Sequence, residues 1–356
     1  YMGINLGAFI APLICGFLAQ SDRWKSILAS FGIRPEASWH WGFGAAAVGM
    51  TLGLVQYVLG GRRLGKAGLL PDRPEEVEAR ARRAKRFFVV MAVVAALVLL
   101  AGWLRAQGVV PITAQGVTTF VGYALLVIPL LYFVYLFRTP GFTAAERKRM
   151  AAIFLFFVFA SLFWSAFEQA GSTLNLFADR FTRNSIFGFK FPSSWLQSVN
   201  SFFIWTLAPV FAWLWIKLGK REPSSPAKFA SGLFFVGLGF LVLAFGAIVS
   251  GPAGNRVSVF WLLAVYLLHT IGELCLSPVG LSTMTKLAPV QVTSQMMGIW
   301  FLASAEGNFV GGQVAGLFEK LPLPYIFGAV FGVSMVFTLI AVVLIKPIRR
   351  LMGDVH

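Results

Sequence analysis

Apolar runs of about 20 residues recur along this chain, separated by short polar or charged segments, and each is long enough to cross a hydrocarbon layer of about 30 Å as a helix. Ten such spans are predicted, at 2–19, 40–60, 87–104, 117–137, 150–177, 195–217, 228–250, 258–285, 292–317 and 325–346. No span alternates apolar and polar positions with a period of two, so a membrane β-barrel is excluded. The expected fold class is an all-α membrane protein.

Composition supports this reading. Hydrophobic residues make up 58% of the chain and charged residues 12%, against about 25% charged in a soluble domain. The net charge of +16 raises the question of nucleic acid, but the basic residues lie in the loops and form no aromatic-interleaved groove. They read as topology charges facing anionic lipid. Alternate loops carry about 21 and about 9 of the Lys and Arg residues. The rich set includes 61–86, 138–149, the loop around Lys220 and the tail after Lys346, which predicts a cytoplasmic C-terminus in a plasma-membrane protein. The chain opens at Tyr1 inside an apolar run, which reads as a sequence lacking an N-terminal portion.

The segment 61–86 predicts a cytoplasmic linker: Pro71 and Pro74 end the preceding structure, and Glu75, Glu76 and Glu78 suit the first turn of a short helix. The two spans after it carry no charge, which predicts a peripheral hairpin facing lipid. Three regions are therefore expected: 1–60, two helices of a first bundle; 61–149, linker and hairpin; and 150–356, a six-helix bundle that holds the chemistry.

A charge in mid-membrane costs about 2.5–3.5 kcal/mol even on lenient scales, and such residues persist when paired, hydrated or functional. Glu168, in FWSAFEQAGSTLNLFADR, is the only ionisable residue in a run of about 27. Spacing of four puts Trp164, Glu168 and Ser172 on one helix face. That suits a polar cavity, or else a static salt bridge to a neighbouring helix. Glu273, in HTIGELCLSPVGLSTMTKLAP, has Ser277 one turn on and His269 one turn before. Pro278 predicts a kink or break there, the device by which transporters expose backbone to a ligand; a locally paired structural Glu is the alternative. In QMMGIWFLASAEGNFVGGQVAG, Trp300, Ser304 and Asn308 share a face, while Gly307 with Gly311 and Gly312 with Gly316 predict close helix packing. Glu306 lies off that face, either paired within the bundle or coupled to protons. Asn5, Gln20, Gln197 and Asn200 offer amides that both donate and accept, suited to a peptide group or to joining helices.

Cys15 and Cys275 lie far apart inside apolar spans, and His40, His269 and His356 form no cluster. No metal, haem, disulfide framework or other cofactor is implied. Phosphate loops, nucleophile elbows and metal-ligand spacings are lacking in this sequence, so no enzyme is expected, and an ion gradient is the expected energy source.

The stretches YMGINLGAF, FWSAFEQAGSTLNLFADR, WLQSVN, LGKREPSSPAKFASGL, GELCLSPVGLS and MMGIWFL resemble the successive signatures of the proton-dependent oligopeptide transporter (POT/PTR) family of the major facilitator superfamily. The resemblance runs nearly end to end. It implies that the chain starts at the family's fifth helix, with the first four absent, and that 87–137 is the helix pair bacterial members insert between their halves. It further implies a proton-coupled symporter importing di- and tripeptides by alternating access, monomeric and membrane-embedded, with no nucleic-acid partner. On this resemblance Glu168, in the FEQ stretch with Gln169, is similar to the carboxylate that pairs with an arginine and senses protonation. Glu273 resembles the acid that receives the peptide amino terminus, and Asn5 and Asn200 resemble amides that hold the peptide. Trp164, Trp300 and Ser277 resemble pocket-lining positions, as does Gln169. A facilitator-type symporter for nitrate, an amino acid or a sugar is the alternative, and a membrane scaffold without transport activity is a further one.

Overall fold

The computed structural model describes residues 2–65, 74–109, 111, 113–251 and 255–353; Pro71 and His356 lie outside them. The helices are α1 (Met2–Gln20), α2 (Asp22–Ser30), α3 (Ser38–Leu59), α4 (Gly61–Leu64), α5 (Pro74–Ala106), α6 (Ala114–Arg138) and α7 (Ala144–Phe167), followed by α8 (Thr173–Phe181), α9 (Gln197–Leu218), α10 (Ser225–Ser250), α11 (Phe260–Leu287), α12 (Thr293–Ala315) and α13 (Leu323–Met352). Short 3-10 turns join several of them.

Among the described residues nine helical segments are long and apolar enough to cross a membrane. The tenth expected span is present as the 23-residue α12, but its glycines, Ser304, Glu306 and Asn308 make it too polar to qualify by composition alone. Such a helix is held by neighbouring helices rather than by lipid. At the linker, the predicted short helix and the first hairpin span are one continuous 33-residue helix, α5. Lys, Arg and Glu are good helix formers, and the segment from Glu75 to Arg86 has no Pro or Gly to stop the helix between the charged turns and the apolar run.

Two compact units result, Tyr1–Ala46 with Leu125–His356 and Ala47–Ala124. The second carries its apolar side chains outward: Phe88, Leu99 and Phe120 are exposed, as expected of lipid-facing positions. The expectation of a hairpin wholly facing lipid fails in the latter half of α6. There Phe133 and Leu136, one turn apart, are buried in the larger unit, with the Phe133 ring 5.0 Å from Phe154 and 6.1 Å from Phe157. A run without polar groups can bury a face against another apolar helix as readily as against lipid.

In the larger unit α10 packs on α13, α11 and α7, α12 packs on α7, and α11 packs on α9 and α12. The chain enters α7 through a capping box: Thr143 Oγ1 accepts from Glu146 N at 3.2 Å while Glu146 Oε2 accepts from Thr143 N at 2.8 Å. Helix α1 lies along α9. Ser198 Oγ donates to Phe9 O (2.7 Å), Trp195 Nε1 to Leu13 O (3.1 Å) and Ser194 Oγ to Gln20 Oε1 (2.9 Å). Three two-residue strands between α8 and α9 and a fourth between α10 and α11 form two small sheets. β1 (Thr182–Arg183) pairs in parallel with β4 (Val257–Ser258), and β2 (Ser185–Ile186) pairs antiparallel with β3 (Phe189–Lys190). Phe187 and Gly188, at φ 48° and 82°, make the two-residue hairpin turn.

Candidate substrate and proton site

The site is built where α9 meets α11. Glu273 projects from the middle of α11 and is 7% exposed. Asn200, in the first turn of α9, donates from Nδ2 to Glu273 Oε2 at 3.1 Å and to Thr270 Oγ1 at 3.0 Å. Thr270 Oγ1 in turn donates to Tyr266 O at 2.7 Å. A carboxylate, an amide and a hydroxyl from two helices therefore form one network at membrane depth. Ser277, one turn beyond Glu273, is half-buried. Pro278 removes one backbone donor, yet α11 continues as a helix from Phe260 to Leu287, so the predicted break does not occur there. A single proline forfeits one ladder hydrogen bond, and packing on both sides carries the helix through.

The break falls instead at Glu168. Helix α7 ends at Phe167, residues Glu168–Gly171 form a 3-10 turn, and Ser172 leaves helical geometry at φ −120°, ψ −90°. Counting by four therefore fails beyond Glu168, and Ser172 does not extend the Trp164–Glu168 face. Glu168 is half-buried, and among the described residues neither a hydrogen bond nor an ion pair engages its carboxylate. Gln169 beside it is 1% exposed: Nε2 donates to Ser165 O at 3.0 Å while Oε1 has no partner. Trp164 is half-buried with its Nε1 unpartnered, its ring edge-on to Phe163 and Phe167.

Glu306 is not isolated. Ser161 Oγ donates to Glu306 Oε2 at 2.8 Å across the α7–α12 contact. That contact is tight at Gly307 and Gly311, as the small-residue spacing predicted: a Cβ on Gly307 would lie 2.5 Å from Trp164 Cβ and 2.7 Å from Ser165 N. Gly312 has open space, so the second glycine pair does not bring helices together. Trp300 is buried, its ring filling the place a side chain on Gly280 would take and meeting Phe229 edge-on. Asn308 is exposed and donates to Ser304 O at 3.0 Å, so the Trp300–Ser304–Asn308 stripe is divided between the core and the surface. His269 is packed between Phe167 and Phe240; neither ring nitrogen makes a hydrogen bond, so it does not pair with Glu273. Asn5 is buried on α1.

Two polar residues in these networks escaped the sequence reading, Thr270 and Ser161. Thr270 stands three residues before Glu273, on the same side of the helix, and Ser161 stands two turns before Glu168. Helical spacing from Glu273 was the available signal for Thr270; nothing local in the sequence joins Ser161 to Glu306, 145 residues away. The histidines, cysteines and acids among the described residues form no group that could hold a metal ion.

The sequence profile of the POT family matches residues 1–337. The chain is 39% identical over its whole length to the uncharacterized transporter YclF of Bacillus subtilis (strain 168), spanning 67% of that protein. It is 37% identical over 99% of its length to the peptide transporter YePEPT of Yersinia enterocolitica, spanning 68% of it. It is 32% identical over its whole length to the di-/tripeptide transporter of Lactococcus lactis subsp. cremoris, again spanning 68%. The fold superposes on the crystal structure of peptide transporter POT in complex with sulfate, with TM-score 0.80 and 39% identity over 99% of this chain and 67% of that one. A POT family transporter in complex with 5-aminolevulinic acid gives TM-score 0.79 at 31% identity over 98% of this chain and 68% of that one. Helices of this length and hydropathy, in this arrangement and with these relatives, make the chain an integral membrane protein that belongs to the POT family of transporters.

Proposed function

We propose that the chain belongs to the transport machinery of a proton-coupled symporter that imports di- and tripeptides through a bacterial plasma membrane, with its C-terminus in the cytoplasm. The observation that carries this reading is the Asn200–Glu273–Thr270 network. A carboxylate and an amide brought together from two helices can receive a peptide ammonium through a charge-assisted hydrogen bond. Asn200 offers a second hydrogen-bonding edge, Oδ1, for the peptide group next to that ammonium.

Glu168 is the proton-coupling group in this reading. It sits at the end of α7, where the helix gives way to a 3-10 turn, so a change in its charge acts at a joint rather than in a rigid rod. Deprotonated, it holds a cation and keeps one bundle in place; protonated, it releases that cation and the bundle moves. Proton and peptide then travel inward together as the two bundles rock. One charge crossing 100 mV yields about 2.3 kcal/mol and each pH unit about 1.4 kcal/mol, together enough for roughly a few hundredfold accumulation at one proton per peptide. Trp164, Gln169 and Ser277 extend the site beside the two acids. Asn5 serves from α1, and Trp300 acts from behind by fixing α12 on α11.

Uptake of radiolabelled di-alanine into proteoliposomes tests the reading. Glu168→Gln is expected to abolish accumulation driven by an imposed pH gradient while sparing exchange of peptide across the membrane. Normal accumulation in that variant rejects the coupling role, and competition by nitrate, free amino acids or sugars in place of di-alanine rejects the peptide.

A further inference from the structure

We propose that the β2–β3 hairpin between α8 and α9 dips its tip into the bilayer leaflet opposite the C-terminus, where phospholipid acyl chains cover it. This needs the chain to be an integral membrane protein and nothing about its substrate.

The segment 183–190 reads RNSIFGFK. A turn that stands in water is expected to be polar at its tip; this one carries Ile186, Phe187 and Phe189. Phe187 is fully exposed and Phe189 is 62% exposed, so the rest of the protein covers neither ring. The turn itself does not call for an aromatic. Phe187 has φ 48°, in the left-handed region that bulky residues seldom enter, and asparagine would make the same two-residue turn with less strain. A ring is held out at the tip in spite of the backbone.

The hairpin stands at the level where helices leave the membrane. Counted back from α13, which ends on the C-terminal side, α9 and α11 both begin at the opposite surface. The hairpin is rooted at those two starts: β1 pairs with β4, just before α11, and β3 leads through the 3-10 turn Ser193–Leu196 into α9. The Phe189 ring lies 6.2 Å from Trp195, whose Nε1 donates to Leu13 O at 3.1 Å, so the hairpin leans on α1 as well.

Beneath it lies a cavity of about 440 Å3 whose wall includes Phe9, Leu13, Phe189, Phe202 and Leu263. The polar side-chain groups in that wall, Trp195 Nε1 and Ser198 Oγ, both already donate to carbonyls of α1. A polar ligand finds no side-chain partner there, whereas an acyl chain needs none. On the other side of the hairpin Ile186 and Phe187 line a smaller cavity with Phe260, the first residue of α11. Phe202 and Phe260 are exposed apolar positions on spanning helices, so both cavities are continuous with the surface that lipid covers. Arg183 and Lys190 flank the aromatic tip, and aromatic rings beside basic side chains are the composition of a membrane interface.

Nitroxide accessibility in liposomes tests this. With Cys15→Ala and Cys275→Ala as background, a spin label is attached at Phe187→Cys, and its collision rates with oxygen, which concentrates in hydrocarbon, and with a water-soluble nickel chelate are measured by power saturation. Lys220→Cys, in an exposed loop on the C-terminal side, is the water reference, and Leu339→Cys, exposed on α13, is the lipid reference. The oxygen-to-nickel ratio at position 187 is expected to lie nearer the lipid reference than the water reference. Phe189→Cys carries the same expectation and serves if the first variant does not fold. A ratio equal to that of Lys220→Cys puts the tip in water and overturns the proposal. Low collision rates with both reagents put the tip under protein, a second copy or another partner, and overturn it equally.

Discussion

Gly307→Ala tests whether α7 and α12 are held at the distance the acids require. The new Cβ would stand 2.5 Å from Trp164 Cβ, 2.7 Å from Trp164 C and 2.7 Å from Ser165 N. Two of those atoms are backbone, so no rotamer change relieves the clash. Carbon atoms in ordinary contact sit about 3.5–4.0 Å apart, so the helices must part by roughly 1 Å at this level. Overpacking of this kind costs about 1–3 kcal/mol. Parting the helices also stretches the Ser161–Glu306 hydrogen bond, now 2.8 Å, whose loss adds about 1 kcal/mol. Alanine's better helix propensity offsets about 0.8 kcal/mol, leaving a net loss of about 1–3 kcal/mol. At about 2–4 °C per kcal/mol for a bundle of this size, the midpoint of thermal unfolding should fall by roughly 3–10 °C. Gly312→Ala is the internal control. It lies on the same helix but its Cβ meets nothing within 4 Å, so the propensity gain alone should hold or raise the midpoint by up to about 4 °C. Scanning fluorimetry of both variants in one detergent, at one scan rate, gives the comparison. If Gly307→Ala is as stable as Gly312→Ala, the helices are not in contact as described and the placement of Glu306 against Ser161 falls with it.

Glu273→Ala should weaken dipeptides with a free amino group far more than their N-acetylated forms in competition assays; equal loss for both would make Glu273 a purely structural acid. Asn200→Ala removes a hydrogen bond to a carboxylate, worth about 1.5–3 kcal/mol, so peptide affinity should drop roughly 10- to 100-fold. That loss should shrink markedly in a Glu273→Gln background, and an undiminished effect in the double-mutant cycle would separate the two residues. His269→Phe should leave transport within a fewfold of wild type, since the imidazole is packed between Phe167 and Phe240 without a hydrogen bond; loss of proton coupling in that variant would assign it the role withheld here.

Hydropathy alone was enough to fix the membrane class and nine of the ten spans, because every segment facing hydrocarbon must be apolar over a length set by the bilayer. The same physics marked Glu168, Glu273 and Glu306, since a charge in a run of apolar residues stands out without any knowledge of its neighbours. Tertiary structure alone decided what each acid meets. Helical counting extends only as far as the helix, so it placed Ser172 on the Glu168 face although the chain turns at Glu168–Gly171. It predicted a break at Pro278, where packing carries α11 through. Gly307–Gly311 and Gly312–Gly316 have the same spacing, yet only the first pair has a helix against it. His269 and Thr270 are adjacent in sequence, and which of them joins the Glu273 network depends on Asn200 arriving from α9, 70 residues away. Hydrocarbon selects residues one at a time and so leaves its record in the sequence. A hydrogen bond between helices needs two groups to meet within about 3 Å, and that meeting is settled only when the helices pack.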